Sequence, residues 1–361
     1  MPTTLYSRIV MLGPAPETRT AATAIVDACR AAGLFARWPI DYVSTHGDGP
    51  LTGRVKNFGI ALRDFASLLA QHGRVVVHAH VSAGAAFWRD AVLMSAALAA
   101  RCPLVMQLHG TGFGPETRFF LQRAACVIVP CEASRIWARS LCRSANVLVV
   151  PPPVALDVAA AAAKQNLVLF LGHLDAAKGI YDLLDAVARL RAAVPDVRLV
   201  CAGDGDRVGV AHYAERLGMA DAVSFTGWVG PSGKRALLEN AAVYALPSYD
   251  EALPASLLEA MSAGVPPVVT PVGGVAEAVQ DGVTGLIVAP GDKAALERSL
   301  RKILLDKALG ERIGEAARES ARLRFAPERV LPRLEDLYAA LGVSAQGTQP
   351  RHDAPELKKA A

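Results

Sequence analysis

The sequence predicts an α/β protein built as two doubly wound parallel sheets in tandem. Three observations carry that prediction. Short, wholly apolar runs alternate with longer amphipathic stretches along most of the chain. The runs are bounded by Gly, Pro and Asp and do not alternate polar with apolar residues. Strands buried on both faces by crossover helices read this way. The alternation then restarts after Pro151-Pro152-Pro153, a stiff run suited to a linker. A length of 361 residues suits two such domains.

In chain order, the first series of expected strands is 8–12, 75–79, 104–108, 127–129 and 147–150. The second is 167–171, 197–202, 222–225, 243–246, 267–270 and 285–288. Between them lie helical patterns. In 180–194, Ile180, Leu183, Leu184, Val187, Leu190 and Val194 recur at helical spacing. The segment 246–266 reads as strand, loop and helix. Pro254 suits the first helical turn, where its missing N–H would have no partner. Gly264 suits the C-terminal cap, so the helix is expected at 254–263. The polar composition after Gly342 predicts a disordered tail over 343–361.

Composition narrows the class. The chain is 52% hydrophobic and 20% charged, and its mean hydropathy is +0.28. These values exclude disordered and collagen-like proteins. The net charge of +4 is too mild to imply nucleic acid. It hides an asymmetry: residues 1–165 hold 16 Lys and Arg against 9 Asp and Glu, and the rest hold 22 against 25. The halves are therefore +7 and −3. Six cysteines form no CxxC and no zinc-ligand spacing, so reduced thiols are expected. No signal peptide and no apolar span of about 20 residues are legible. A cytoplasmic protein is expected, with contact to a membrane surface left open.

Several segments carry chemistry. In 246–266, the first N–H groups of the expected helix lack internal partners and lie where an anion binds well. Glu251 lies just before that helix and Glu259 in its second turn. Hydroxyl groups at both ends of a ligand and an anionic middle would suit this layout. In Gly172-His173-Leu174-Asp175-Ala176-Ala177-Lys178-Gly179 a strand runs into a Gly turn, and Lys178 can put a point charge on a phosphate oxygen. Gly203-Asp204-Gly205 contains GxG but not GxGxxG, a weak signal. His78, His80 and His109 fall at or near strand carboxyl ends. No carboxylate or Cys follows them at ligand spacing, so no metal site is expected. Gly13 follows the first strand, where a ligand can approach the backbone closely.

Read together, these segments resemble glycosyltransferase family 4. The residues that carry the resemblance are Pro247-Ser248…Glu251, then Glu259-Ala260-Met261…Ala263-Gly264…Pro266, with two Glu eight positions apart. Gly172…Lys178-Gly179, Ala202-Gly203-Asp204-Gly205, Val223–Gly227 with Trp228, and Gly273-Gly274-Val275-Ala276-Glu277 follow the same pattern in the same order. The resemblance is strong over 167–326 and weaker in the first half, through His80 and His109.

It implies a GT-B fold with 1–160 as an acceptor-side Rossmann-like domain and 161–326 as a nucleotide-sugar-binding one. A helix over 327–342 would cross back to the first domain. It further implies a retaining transferase that needs no cofactor or metal and takes a UDP- or GDP-linked sugar as donor. The acceptor would be a saccharide or lipid-linked saccharide, in bacterial exopolysaccharide or lipopolysaccharide synthesis. By position, His109, Glu251 and Lys178 are the catalytic candidates. Gly13, His173, Lys178, Glu251, Ala252, Leu253, Pro254, Ala255 and Glu259 are the donor-binding candidates, with the nucleobase near 226–229. Relatives commonly carry Arg where His173 stands and two glycines where Gly13-Pro14 stands.

Arg54, Lys56, Arg63 and Arg74 of the basic half would suit an anionic membrane. The competing reading is a nucleotide-sugar 2-epimerase on the same fold. A Rossmann oxidoreductase would need a complete GxGxxG, which neither Gly13 nor Gly203 begins. A silent scaffold subunit is disfavoured by intact Lys178, Glu251 and Glu259.

Overall fold

The computed structural model describes residues 6–47, 51–154 and 165–346. The expected boundary at 160/161 and the tail beyond 346 lie outside the described residues. The first unit runs β1 (Arg8–Pro14), α1 (Ala21–Ala31), α2 (Leu34–Arg37), β2 (Ile40–His46), α3 (Leu51–His72), β3 (Val75–Ser82), α4 (Ala85–Ala99), β4 (Leu104–His109), α5 (Arg118–Leu121), β5 (Cys126–Val129), α6 (Glu132–Leu141) and β6 (Val147–Val149). The second runs β7 (Leu167–Leu171), α7 (Ile180–Leu190), β8 (Arg198–Ala202), α8 (Arg207–Arg216), β9 (Val223–Gly227), α9 (Pro231–Asn240), β10 (Val243–Leu246), α10 (Ala255–Ser262), β11 (Pro267–Val269), α11 (Val275–Ala278), β12 (Leu286–Ile287), α12 (Lys293–Leu305) and α13 (Lys307–Phe325). The last element among the described residues is α14 (Pro327–Ala340).

Each series of strands forms one six-stranded sheet, with order β2-β1-β3-β4-β5-β6 in the first and β12-β11-β10-β7-β8-β9 in the second. The named strands pair in parallel throughout. The expected α/β class is therefore what is seen. In the second sheet the strand order reverses between β7 and β10. The loops leaving two such neighbours diverge and open a crevice at their carboxyl ends. Those loops hold Lys178 and Glu251.

Three elements depart from the sequence reading. Strand β2 was not anticipated. It is an edge strand paired only to β1, and its polar members Asp41, Ser44 and His46 stay half-exposed, so it lacks the apolar run of a central strand. Helix α7 ends at Leu190 rather than 194: the backbone tightens into turns, with Ala192 and Ala193 N–H donating to the Arg189 and Leu190 carbonyls, and Pro195 disfavours helical backbone at Val194. Pro254 is the residue before α10 rather than its first turn: its φ and ψ of −71° and 124° are extended. Its carbonyl accepts from the N–H of Leu257 at 3.1 Å.

Helix α14 buries Val330, Leu331, Leu334 and Tyr338 against Ile9, Val76 and Val105 of the first sheet and against Trp38 after α2. It thus completes a core that the first unit begins. The first residues of the expected disordered tail are instead ordered: Val343 forms a parallel bridge with Tyr6, and the N–H of Gln346 donates to Arg37 O at 2.7 Å, so 343–346 are tied to the first unit. All six cysteines are buried and unpaired. Among the described residues no helix is long and apolar enough to cross a membrane.

The loop carrying Lys178 packs on the one leading to Glu251 through Gly179. This glycine has φ +70°, and a Cβ there would overlap the Pro247 carbonyl. Gly179→Ala should destabilise the protein by more than about 2 kcal/mol, combining left-handed strain with that overlap. Gly218 has φ +69° and open space around it, so Gly218→Ala should cost only about 1 kcal/mol. Urea unfolding of both variants decides; equal losses would contradict the packing argument.

Candidate active site at the cleft between the sheets

A cavity of ≈ 340 Å³ lies at the carboxyl ends of β7 and β10. Its floor is Gly172, His173 and Lys178 on one side and Glu251, Pro254 and Ala255 on the other, with Glu259 deeper in. Arg19, Thr20 and Ala21, at the start of α1, line it from the first unit. The opening turn of α10 borders this space, so its unpaired N–H groups and the positive end of its dipole favour an anion there.

Two ion pairs mark the ends of the cavity. Lys178 Nζ donates to Glu251 Oε1 at 2.8 Å, and Ser248 Oγ donates to the same oxygen at 2.9 Å. Glu251 is only 8% exposed, and a carboxylate so desolvated is tolerable only with such partners. The loop closes because Gly273, at φ +52°, lies against the Glu251 carbonyl, where a Cβ would overlap. At the other end Lys234 Nζ pairs with Glu259 Oε1 at 2.7 Å. Burial pushes Glu259 above the usual carboxylate range, and Lys234 opposes that shift. Sequence reasoning missed Lys234: it sits on α9, outside any motif, and only the fold brings it to Glu259.

The candidate residues are not all gathered here. His173, Lys178, Glu251, Pro254, Ala255 and Glu259 line the cavity, as do Trp228 and Val229 near the expected nucleobase position. His173 is exposed, its Nδ1 2.9 Å from Asp175 Oδ2. Gly13, Ala252 and Leu253 are not among the lining residues. Gly13 is a strand residue covered by the Tyr42 ring, whose hydroxyl donates to Pro14 O. The Ala252 carbonyl accepts from Gly274 N–H at 2.5 Å. Leu253 faces a separate cavity beside Pro130 and Val149.

His109 belongs to a column of three imidazoles. Its ring stacks on His80 at 5.0 Å, and His80 stacks on His78 at 4.9 Å. His80 Nδ1 lies 2.8 Å from His109 Nε2. His78 Nε2 donates to Gln107 Oε1 at 3.0 Å, so its Nδ1 accepts from the Tyr338 hydroxyl at 2.7 Å. Burial drives all three imidazoles neutral, His78 to about 4, His109 to about 3 and His80 well below its usual value.

The two units meet around this site. Arg19 lies 5.2 Å over the Trp228 ring and 3.5 Å from Asp204. Thr111 Oγ1 donates to Asp250 Oδ2. The Glu277 carboxylate accepts from the N–H groups of Glu132 and Ala133 at 2.9 Å each, capping α6 from the other unit. The motif Gly273-Gly274…Glu277 is thereby a contact between units as well as a turn.

Comparison with known proteins follows from this geometry. Residues 156–320 match the family described as glycosyl transferases group 1. Glycogen synthase of Mycobacterium tuberculosis is 34% identical over 184 residues, covering 51% of this chain and 44% of that protein. Phosphatidyl-myo-inositol mannosyltransferase of Mycobacterium leprae is 33% identical over 184 residues, covering 50% and 48%. The chain spans less than half the length of these curated relatives. Among solved structures, sucrose-phosphate synthase from Thermosynechococcus elongatus superposes with a TM-score of 0.77 at 20% identity, over 92% of this chain and 99% of that one. Anabaena HepE in complex with UDP and glucose gives 0.74 at 18%, over 93% and 100%. The chain has the GT-B architecture, and the resemblance to glycosyltransferases read from the sequence stands.

The imidazole column sets a pH dependence. In the unfolded chain each His titrates near 6.5, so below that value the unfolded state binds more protons than the folded one. Stability should fall as pH drops from about 6.5 toward 4, by up to about 1.4 kcal/mol per pH unit for each imidazole. Asp90, raised by burial to about 6, and Glu259, also raised by burial, act in the opposite direction, but they are two groups against three. Denaturant unfolding between pH 7 and 5 checks this, with His80→Phe expected to flatten the slope. An undiminished slope in that variant would assign the acid sensitivity elsewhere.

Proposed function

We propose that the protein is a retaining glycosyltransferase of the family 4 type, moving a sugar from a nucleoside diphosphate to an acceptor hydroxyl. The observation that carries the reading is the cavity bounded by Lys178–Glu251 at one end and Lys234–Glu259 at the other, with the start of α10 between them. The diphosphate would lie on the α10 N-terminus and Lys178. Glu259 would accept ribose hydroxyls and Glu251 those of the sugar. As the sugar departs, negative charge grows on the diphosphate, and preorganised N–H groups and a fixed cation stabilise it without reorganising. Arg19 adds a cation from the first unit. Closure of the two units would exclude water and so limit hydrolysis of the donor.

Retention is supported by the family 4 motifs, and the donor base is taken as uracil or guanine. HepE, a structural neighbour, has been solved with UDP-glucose, which favours testing UDP first. The relatives named above are transferases and synthases, which favours transfer over 2-epimerisation. The acceptor is proposed to be a saccharide or lipid-linked saccharide of bacterial surface polysaccharide synthesis. The Bacillus subtilis putative glycosyltransferase EpsD, 31% identical over 175 residues, is a further relative. Helix α3 exposes Arg54 and Lys56 beside Val55, a mixed basic and apolar face suited to an anionic membrane.

Glu251→Gln should lower sugar transfer by on the order of 100-fold or more, the scale seen when a preorganised polar group is removed from an active site. The variant should still fold, with a lowered melting temperature, because the amide oxygen can accept from Lys178 and Ser248 but no longer offsets the Lys178 charge. Near-normal turnover would remove Glu251 from the proposed role. A screen against UDP, GDP and ADP should show one nucleotide raising the melting temperature, equivalent to about 2.7 kcal/mol at a hundredfold excess over Kd. A flat response to all three would oppose the donor reading.

A further inference from the structure

A second cavity of ≈ 310 Å³ lies beside the first, and Glu251 lines both. Its walls come from both units. Phe113 and Trp137, with ring centroids 5.8 Å apart, form one side, and Leu108 and Pro130 extend it. Its polar side chains are few and gathered at one end, around Asp250 and Glu251, where several of their atoms are already engaged. Thr111 and Asp250 bond each other, Ser134 Oγ lies 3.1 Å from Cys131 Sγ, and Glu251 holds Lys178 and Ser248. Away from the two carboxylates, hydroxyls buried against the Phe113 and Trp137 wall would go unpartnered, at about 1–3 kcal/mol each. An apolar body would bury its surface against the aromatic wall at about 25 cal/mol per Å².

We infer that this cavity binds the apolar body of an amphiphilic acceptor, with the acceptor's hydroxylated head directed to the Glu251 end. The acceptor class is thus a sugar or polyol carrying an aliphatic or aryl group, and not a free oligosaccharide. Trp137 and Phe113 are the specificity-determining residues. The inference rests on the sugar-transfer reading for the identity of the head group, but its binding test needs no donor.

Calorimetry with octyl glucoside, phenyl glucoside and methyl glucoside, each below any micelle concentration, reads the preference directly. The octyl or phenyl probe should bind at least tenfold more tightly than the methyl one, and which of the two binds better separates an aliphatic from an aryl body. Trp137→Ala, which removes a wall, and Ala133→Phe, which fills the space, should each reduce that preference below threefold. Trp137→Phe should retain it. Equal affinity for all three probes in the unaltered protein, or a preference that survives both Trp137→Ala and Ala133→Phe, would overturn the inference. Nucleotide binding and Glu251→Gln turnover test the reaction separately, so either idea can fail while the other stands.

Discussion

The contact between Lys178 and Glu251 organises much of this molecule. It joins the loop after β7 to the loop after β10, and those strands are neighbours only because the second sheet reverses its order between them. Burying a carboxylate at this depth is costly unless a cation and a hydroxyl hold it. Lys178 and Ser248 supply both. The close approach demands bare backbone on each side, which Gly179 and Gly273 provide. The two cavities that share Glu251 lie on either side of this one point.

The charge pattern takes on a different meaning in this setting. The half of the chain that is net −3 holds the proposed diphosphate site. Phosphate binding there cannot rest on a broad positive field. In the proposed reading it would rest on the start of α10, on Lys178 and on Arg19 reaching over from the +7 half. Lys234, the cation at the far end of the cavity, is committed to Glu259.

The first unit contributes neutrality and rigidity. Of its three stacked imidazoles, His78 and His80 are buried and His109 half-buried, and Tyr338 of α14 holds the column at His78. The same helix fills the core of the first sheet. The final turns of the chain therefore bear on the position of His109. Glu277 and the Thr111–Asp250 contact tie the units together nearer the cleft.

What the sequence by itself determined was periodic or local. Apolar runs marked the central strands, since a strand covered on both faces must be apolar throughout. Pro254 and Gly264 bracketed α10 to within a residue at each end, although Pro254 precedes the helix instead of opening it. Strand β2 escaped because an edge position tolerates polar residues. Tertiary structure alone decided the partnerships. Nothing in the local sequence links Lys234 to Glu259, Glu277 to the start of α6, or Tyr338 to His78, because those pairs are separated by 25, 145 and 260 positions. It also removed Gly13 from the cavity wall, since the unforeseen β2 lays Tyr42 over it. Local patterning follows from burial of one chain segment at a time. Which side chains share a site depends on the order in which the strands assemble.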